Sequence, residues 1–500
     1  MKKTSYYGYK KNYLLKFYII SEEVKNTYME NSSRGGMELK NINIIGAGAS
    51  GLFAAYEIKK TAGDKFNIRV FEQGESIYDR RCPIVEKMTK KCINCRPCAI
   101  MSGFGGAGAF SDGKYNITTQ YGGWITDYMD EKSATELMEY VDEVIIKLSE
   151  EEIEGIYEPK SIYKKEALKY DLHLLQGRVR HLGTEKNLSI LKSMYEYLKE
   201  EGVEFLFKTK IERVSVHQSD YKHKFSVQSM DETFESDILI IAVGRSGAEW
   251  FSKQCKDGLG LRLINNQVDV GVRVEVPSEI LEDITGEIYE AKIKYRTKAY
   301  SDVVRTFCMN PNGYVVTENT DGIITVNGHS FSNKSLGSRN TNFALLVSNK
   351  FTEPFDDPYA YGKRIASFSN LLGGGVLVQR FGDLVKGRRT NAHRLSQSFT
   401  KPTLDATPGD LSLVLPKRQL DDIIEMIYQL DKMFPGLANE NTLLYGVEVK
   451  FYSSRLELTD ELETSIEGMY AIGDGSGTTR SLSQASASGV HVARIIGKKG

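Results

Sequence analysis

The spacing of apolar residues in the first half of the chain predicts strands that alternate with helices. A strand pattern at residues 42–45, a glycine-rich turn, a helical pattern at residues 52–60 and a second strand pattern at residues 67–72 predict one strand–helix–strand unit. A third run, at residues 238–244, is apolar throughout, which is typical of a strand covered on both faces. We therefore predict an α/β domain with a Rossmann-like parallel sheet.

The pattern changes after about residue 260. From residue 268 to residue 276 every second residue is valine, and the residues between them are Asp269, Gly271, Arg273 and Glu275. This alternation predicts a strand with one face in solvent, as antiparallel sheets often have. Residues 314–326 predict a hairpin, because Asp-Gly at its centre suits a tight turn.

These patterns divide the chain into four segments. We predict an N-terminal extension at residues 1–37, the first part of the α/β domain at residues 38–259, an inserted and mainly antiparallel β domain at residues 260–440, and the second part of the α/β domain at residues 441–500. We expect the chemistry to take place where the two domains meet.

Composition narrows the classes of protein. Of the 500 residues, 41% are hydrophobic and 26% are charged, which is an ordinary globular balance. The net charge of −1 gives no general attraction to nucleic acid or to an anionic membrane, and no apolar window is long enough to span a bilayer. Six cysteines are too few for a disulfide scaffold, which is typical of a reducing compartment, so we expect a cytoplasmic protein. From its charge and the lack of a spanning window we expect it to be soluble, without nucleic-acid or membrane partners.

The glycine-rich turn after the first strand has the spacing of a dinucleotide-binding fingerprint. Gly46, Gly48 and Gly51 enclose Ala47, Ala49 and Ser50, and Glu72 ends the next strand. In such a turn the glycines allow a tight bend and let a pyrophosphate approach the helix N-terminus. A carboxylate after the second strand binds a ribose diol and repels a 2′-phosphate, which favours FAD or NAD over NADP.

Two more glycine-rich segments predict a large ligand. In residues 102–114, the second glycine segment, five glycines leave a long stretch of backbone without side chains. Residues 473–477, the third glycine segment, form a Gly-Asp-Gly turn before the last helix. Together with the fingerprint, these segments resemble the FAD-binding fold of the glutathione reductase superfamily. Because the chain has one fingerprint, it is similar to the fumarate-reductase-like and hydroxybenzoate-hydroxylase-like branch, and within it to bacterial FAD-dependent dehydrogenases over residues 40–500.

The resemblance implies a set of FAD contacts. Asp474 is expected to accept a hydrogen bond from the ribityl chain, and Ala242 and Gly244 occupy the place of the family's Ala-Thr-Gly strand end, where Val243 departs from the pattern. The cofactor-binding residues that we predict are Gly46, Gly48, Ala49, Ser50, Gly51, Glu72, Gly105, Gly106, Ala107, Ser111, Asp112, Gly113, Ala242, Gly244, Gly473, Asp474 and Gly477.

Four cysteines crowd into one short segment: Cys82, Cys92, Cys95 and Cys98. The spacing of the last three resembles iron–sulfur ligation, and Cys82 would supply a fourth thiolate, although proline does not follow Cys98 as it does in bacterial ferredoxins. A zinc site, a redox-active Cys-x-x-Cys pair and unligated loop thiols are the alternatives. Because Cys98 precedes the second glycine segment by only a few residues, a cluster there would lie near the flavin.

Substrate contacts are predicted only from residue chemistry. His329, Arg380 and Arg388 are the catalytic candidates in the inserted domain, against the alternatives of a structural histidine and an exposed basic turn. The predicted function is an FAD-dependent oxidoreductase that transfers a hydride between flavin N5 and an unidentified small molecule. An FAD monooxygenase and an electron-transfer flavoprotein with a cysteine-ligated cluster remain alternatives, and the donor is NAD(P)H or a redox partner protein.

Overall fold

The computed structural model describes residues 39–83, 85–89, 93, 95–111, 113–153, 155–158, 162–217, 221–264, 266–288, 291–320, 322–330, 334–351, 354–355, 357–450, 452 and 454–499. The predicted N-terminal extension, Cys92 and Asp112 lie outside these residues. Within them, no helix is both long and apolar enough to cross a membrane.

The strands, in chain order, are β1 (Lys40–Ile45), β2 (Phe66–Phe71), β3 (Lys114–Ile117), β4 (His173–Leu175), β5 (Arg178–His181), β6 (Glu204–Leu206), β7 (Arg213–Val216), β8 (Phe225–Gln228), β9 (Thr233–Ser236), β10 (Ile238–Ile241), β11 (Leu263–Ile264), β12 (Val268–Pro277), β13 (Lys292–Arg296), β14 (Val303–Asn310), β15 (Tyr314–Thr320), β16 (Ile323–His329), β17 (Asn340–Asn349), β18 (Leu377–Arg380), β19 (Thr407–Pro408), β20 (Leu443–Lys450), β21 (Arg455–Leu456) and β22 (Met469–Ala471).

The α-helices, in chain order, are α1 (Ala49–Ala62), α2 (Glu131–Leu148), α3 (Ile162–Leu168), α4 (Thr184–Glu200), α5 (Ala248–Gln254), α6 (Glu282–Glu287), α7 (Pro358–Gly373), α8 (Phe381–Val385), α9 (Ala392–Ser396), α10 (Lys417–Asp431) and α11 (Leu482–Lys499).

The α/β domain is built on a parallel sheet with the strand order β22-β10-β1-β2-β6. Its central side chains, such as Ile44, Val70 and Ile240, are fully buried, as the apolar runs predicted. Helices α1 and α11 pack very closely, since a Cβ placed on Gly489 would lie 2.2 Å from the carbonyl oxygen of Ser50. Strands from both ends of the chain therefore form one sheet, which confirms the predicted α/β class.

The second large sheet is mainly antiparallel, with the order β19-β18-β20-β12-β17-β14-β13-β4, and only its β18–β19 pair is parallel. Valines of β12 pack on this sheet's apolar face with residues of α7 and α10, among them Ile365 and Ile423. The sheet extends past the predicted domain boundary at residue 440, because β20 lies between β12 and β18. It also takes β4 from the segment before residue 260.

The polar face of β12 corrects one expectation. Asp269, Arg273 and Glu275 were expected to face solvent, yet the side chain of each is completely buried. Buried charges are retained when each has a partner. The partners are Arg305 for Asp269, Glu448 for Arg273, and Tyr445 and Thr403 for Glu275. The alternation thus marks a paired polar layer, covered in part by the hairpin β15–β16, because a Cβ on Gly328 would lie 2.0 Å from Arg273 Nη1.

Candidate cofactor-binding cleft

A cleft with a cavity volume of about 350 Å³ lies at the carboxyl ends of the parallel strands. Ligands of open α/β sheets bind at this edge. The cleft reaches from the end of β6 to the segment after β22, so it crosses all five strand ends, a span of about 19 Å at the usual strand spacing. The predicted residues that line it are Gly46, Gly48, Ala49, Ser50, Glu72, Gly105, Gly106, Ala107, Ser111, Ala242, Gly244 and Asp474.

The three fingerprint glycines have different roles. Gly46 has a φ of +110°, and a Cβ on it would lie 2.6 Å from the carbonyl oxygen of Ala242. A Cβ on Gly51 would lie 2.1 Å from the carbonyl oxygen of Gly46, so Gly51 allows α1 to start against the turn. Gly48 faces open space, because a Cβ there would meet no protein atom within 4 Å. Only Gly48 leaves room for a ligand at the N-terminus of α1.

The Glu72 carboxylate links three turns by hydrogen bonds. One carboxylate oxygen accepts a hydrogen bond from the amide of Ala47 (3.1 Å), and the other accepts from the amides of Gly74 and Gly103 (both 2.9 Å). The side chain is buried but lines the cleft. Because a carboxylate has about four acceptor positions, these bonds leave capacity for a ribose hydroxyl. The structure thus adds a structural role to the ligand contact predicted for Glu72.

Arg80, which the sequence did not single out, organises the second glycine segment. Its guanidinium donates to the carbonyl oxygens of Ala99 and Ile100 on one side and of Phe104 and Gly106 on the other, over 2.6–3.0 Å. Burial lowers the pKa of Arg80 to about 10, against the opposing effect of the Glu72 carboxylate. One buried cation therefore fixes the backbone that forms this wall of the cleft.

The third glycine segment is shaped by close backbone contacts. A Cβ on Gly475 would lie 2.1 Å from the carbonyl oxygen of Val243, and one on Gly473, whose φ is +75°, would lie 2.5 Å from Ser50 Oγ. A Cβ on Gly244 would meet no atom within 4 Å. Gly244 is therefore the residue of this wall that leaves open space, whereas Gly473 and Gly475 allow the turn to pack.

A small set of charges lies where this turn meets the cleft. Arg245 Nε is 3.8 Å from Asp474 Oδ2, and Thr479 donates to Asp474 Oδ1 over 2.9 Å. Burial raises the pKa of Asp474, while the charges of Arg245 and Arg480 oppose that shift. Burial also lowers the pKa of Arg480. Both arginines line the cleft, so a ligand here meets one carboxylate and two guanidinium groups.

The remaining residues that were predicted to bind the cofactor either do not line the cleft or lie outside the described residues. Gly51, Gly113, Gly473 and Gly477 do not line the cleft. Gly477 has a φ of +76°, and a Cβ on it would lie 2.7 Å from the carbonyl oxygen of Ser454. Asp112 lies outside the described residues. These glycines shape the turns and need no ligand contact to explain them.

The catalytic candidates are not brought to the cleft. His329 ends β16, on the hairpin that covers β12. Arg380 and Arg388 gather instead around the buried carboxylate of Asp383, with Arg388 Nε 2.7 Å from Asp383 Oδ1. Although burial opposes it, hydrogen bonds from Thr390 and Arg388 lower the pKa of Asp383. The arginine pair thus belongs to a separate ion-pair cluster.

The cysteine segment is only partly described. Cys82, Cys95 and Cys98 are free thiols, and Cys92 lies outside the described residues. Among the residues that are described, no group of three or more histidine, cysteine or acidic side chains could hold a metal ion. An iron–sulfur cluster or zinc ion at these cysteines stays a prediction.

Several residues that line the cleft belong to none of the sequence motifs described above. Thr209, Lys210 and Ile211 follow β6, and Arg245 and Trp250 lie beyond the end of β10. Their position after parallel strands is the signal that could have found them, because side chains at that edge meet the ligand.

The lining fits an extended dinucleotide. Two glycines that face open space, at positions 48 and 244, leave room along the wall, and the N-terminus of α1 offers amides to a pyrophosphate. Glu72 and Asp474 lie after strands near opposite edges of the sheet, where they would hold the adenosine ribose and the ribityl chain of FAD.

Two family models match the chain. Residues 267–451 match "FAD-dependent protein, C-terminal domain-like", and residues 44–78 match "NAD(P)-binding Rossmann-like domain". The first match covers most of the antiparallel sheet, and the second covers the fingerprint turn and Glu72. The protein is an FAD-dependent oxidoreductase. The predicted enzyme class and the FAD requirement are thereby confirmed.

Other similarities are more distant. A protein of Clostridium beijerinckii described as uncharacterised is 26% identical over 497 residues, covering 96% of this chain and 84% of that protein. The solved 2,6-dihydroxypyridine-3-hydroxylase of Arthrobacter nicotinovorans is 14% identical, with a TM-score of 0.38 and coverage of 93% of this chain and 84% of that one. Glycine oxidase of Bacillus cereus is 11% identical, with a TM-score of 0.35 and coverage of 92% and 96%. TM-scores this low support no inference about this oxidoreductase.

Proposed function

We propose that this oxidoreductase is a dehydrogenase or reductase that moves a hydride between FAD and a small organic molecule. We place it in the fumarate-reductase-like and hydroxybenzoate-hydroxylase-like branch of the glutathione reductase superfamily. The observation that carries the proposal is a cleft that runs across all five parallel strand ends, with an acidic residue near each edge of the sheet. When bound, FAD supplies two-electron chemistry at flavin N5.

The residues of the α/β domain bind and orient the cofactor. Glu72 would hold the adenosine ribose while it keeps three turns in place, and Gly48 would allow the pyrophosphate to approach the first amides of α1. Asp474 would accept a hydrogen bond from the ribityl chain. Arg80 would keep the wall formed by Gly105 and Gly106 in position.

The residues near Asp474 set the charge of the reacting end. Arg480 and Arg245 carry positive charge into the cleft, and the N-terminus of α11 adds its partial positive charge. This arrangement stabilises negative charge on a bound group, as a reduced cofactor requires. The electron donor that we propose is NAD(P)H that binds transiently, or a redox partner protein, because the one matched dinucleotide-binding segment is the turn that we assign to FAD.

The test is spectroscopic. Protein purified without oxygen is expected to carry FAD and to bleach at the flavin absorption band on photoreduction. The reduced protein should reoxidise with a hydride acceptor from a library of unsaturated acids and carbonyl compounds, or the oxidised protein should bleach with a hydride donor from a library of alcohols and amines. Arg380→Ala and Arg388→Ala, which lie outside the cleft, should keep both the FAD and its reduction. Protein that stays colourless after incubation with FAD would end the proposal.

The alternative reaction has a separate readout. A monooxygenase would consume oxygen and NAD(P)H together and release a hydroxylated product, whereas a dehydrogenase or reductase leaves the oxygen content of its product unchanged. Labelled oxygen followed by mass spectrometry of the product separates the two. Incorporation of the label would show that the protein inserts oxygen into its substrate and would contradict the proposed dehydrogenase or reductase reaction.

A further inference from the structure

The turn between β13 and β14 is held against α10 by hydrogen bonds to carboxylates of that helix. Glu425 on α10 accepts from the backbone amides of Lys298 (2.6 Å) and Ala299 (3.3 Å). One helical turn earlier, Asp421 accepts from the Tyr300 hydroxyl over 2.9 Å. These bonds place the turn on one face of α10.

Asp302, the last residue before β14, is fixed by an arginine of the same helix. Arg418 donates to both carboxylate oxygens, with Nε 2.5 Å from Oδ2 and Nη2 2.7 Å from Oδ1. This two-point contact holds the carboxylate in one orientation. The bonds from Arg418 lower the pKa of Asp302, against the effect of its burial. Asp302 is therefore ionised at neutral pH.

The carboxyl group of Asp422 meets this ionised carboxylate away from solvent. Asp422 is completely buried, and neither of its oxygens has a hydrogen-bond donor among the residues that the structure describes. Its carboxyl group is in hydrogen-bonding contact with that of Asp302. Because two ionised carboxylates have no proton to share, this contact requires one of them to be protonated. An ionised Asp422 would be a buried charge beside a charge of the same sign.

The groups around Asp422 act in both directions. Burial raises the pKa of Asp422 to about 6, and Asp302 adds to the rise, while Thr297 and Arg418 oppose it. The Thr297 hydroxyl donates to the carbonyl oxygen of Asp302 over 3.4 Å rather than to Asp422. The other titratable groups of α10, the turn and the neighbouring elements have partners of their own, which are Asp421 for Lys417, Asp171 for Lys298, the carbonyl oxygen of Ser301 for Arg296, Glu425 for Tyr295, and Gln419 for Tyr361.

We propose that Asp422 is a carboxylic acid in the folded protein and donates a hydrogen bond to the Asp302 carboxylate, which joins α10 to the β13–β14 turn by a contact that opens as pH rises. The proton lies on Asp422 because Asp302 already accepts two bonds from Arg418. Loss of the proton leaves two carboxylates in contact, and their repulsion loosens the turn. Neither member of this carboxyl pair (Asp302 and Asp422) lines the cofactor cleft.

Loss of this proton makes the folded state less stable as pH rises. In the unfolded chain Asp422 ionises at its ordinary pKa of about 3.9, whereas in the folded protein it keeps its proton up to a pKa of about 6. The carboxyl pair therefore adds stability that is complete below the first value and is lost as pH rises through the second. From pH 5 to pH 7 the unfolding equilibrium constant should rise about tenfold through this group alone.

The experiment is urea unfolding of the purified protein and of Asp422→Asn at pH 5 and pH 7. The amide of the variant donates to Asp302 at both pH values, so the ratio of unfolding constants, wild type over variant, should rise about tenfold from pH 5 to pH 7. Asp421→Asn is the matched control on the same helix. Lys417 and Tyr300 hold the pKa of Asp421 low against its burial, so the corresponding ratio for Asp421→Asn should stay constant.

Hydrogen exchange locates the effect. The backbone amides of residues 297–302 should exchange up to about tenfold faster in wild type than in Asp422→Asn at pH 7, and at similar rates at pH 5. Asp302→Asn is the second variant, because it removes the neighbouring charge and should move the pH dependence of unfolding to lower pH. A constant wild-type-to-Asp422→Asn ratio, equal exchange of the turn at pH 7, or an unchanged pH dependence in Asp302→Asn would each overturn the shared proton.

Discussion

Replacing Gly48 by alanine adds one methyl group to the wall of the cleft without crowding the protein. No heavy atom lies within 4 Å of the added Cβ, and the φ of −82° at Gly48 is one that alanine adopts readily. The apoprotein should therefore keep its stability or gain about 0.4–1 kcal/mol, because alanine restricts the unfolded chain more than glycine does.

The same methyl group occupies space that the pyrophosphate needs. Forcing an extra methyl group into a filled site costs about 1–3 kcal/mol. This corresponds to FAD binding that is weaker by about 5- to 150-fold, since 1.4 kcal/mol is a factor of ten. Stability and affinity should thus move in different directions in one variant.

The assay pairs apoprotein melting with an FAD titration followed by flavin fluorescence. Gly286→Ala on α6 is the matched control, because its Cβ also meets no atom within 4 Å but lies away from the cleft, and it should leave FAD affinity unchanged. Gly51→Ala is the opposite control, since its Cβ would lie 2.1 Å from a carbonyl oxygen, and it should lower the melting temperature. If Gly48→Ala binds FAD as tightly as wild type, the pyrophosphate does not approach this turn.

Three further changes test separate features. Arg273→Met removes the buried arginine that pairs with Glu448 and leaves only Lys450 beside this carboxylate, so it should cost up to about 3–5 kcal/mol in urea unfolding. Arg418→Met, at an exposed pair, should cost far less, and equal losses would contradict the buried-pair account. Because the pKa of Asp474 is raised in the folded state, the apoprotein loses stability as pH rises from the unfolded pKa of about 3.9 through the folded one. Apo Asp474→Asn should therefore melt above wild type at pH 7 and equal it near pH 3, and a constant difference would argue against this titration. For the cysteine prediction, metal analysis of anaerobically purified protein should find bound iron or zinc that Cys95→Ala removes and Cys255→Ala retains; metal-free wild type would refute it.

Features that depend on a few consecutive residues were predictable. A glycine turn between a strand and a helix has a fixed geometry, so the roles of Gly46, Gly48 and Gly51 follow from spacing alone, and each glycine has the surroundings that its predicted role requires. The apolar strands of the parallel sheet were predictable for the same reason, because burial on both faces leaves a continuous apolar run.

Features that depend on partners far apart in the sequence were not predictable. The alternation at β12 is the same for a strand in water as for one whose charges are paired, and the partner of Arg273 lies 175 residues further along the chain. Arg80 gives no local pattern either, because its acceptors are backbone carbonyls that any residue could provide. Lys294 and Arg305 lie side by side only because of the register of β13 and β14, which no local pattern sets.

The hydrogen bonds that three backbone amides donate to Glu72 have a consequence for how the protein binds its cofactor. They join the fingerprint turn, the end of β2 and the second glycine segment without any contribution from a ligand. Hydrogen bonds within the protein therefore preorganise the site, and little conformational entropy is lost when FAD binds. Apoprotein from which FAD has been removed should accept it again without refolding.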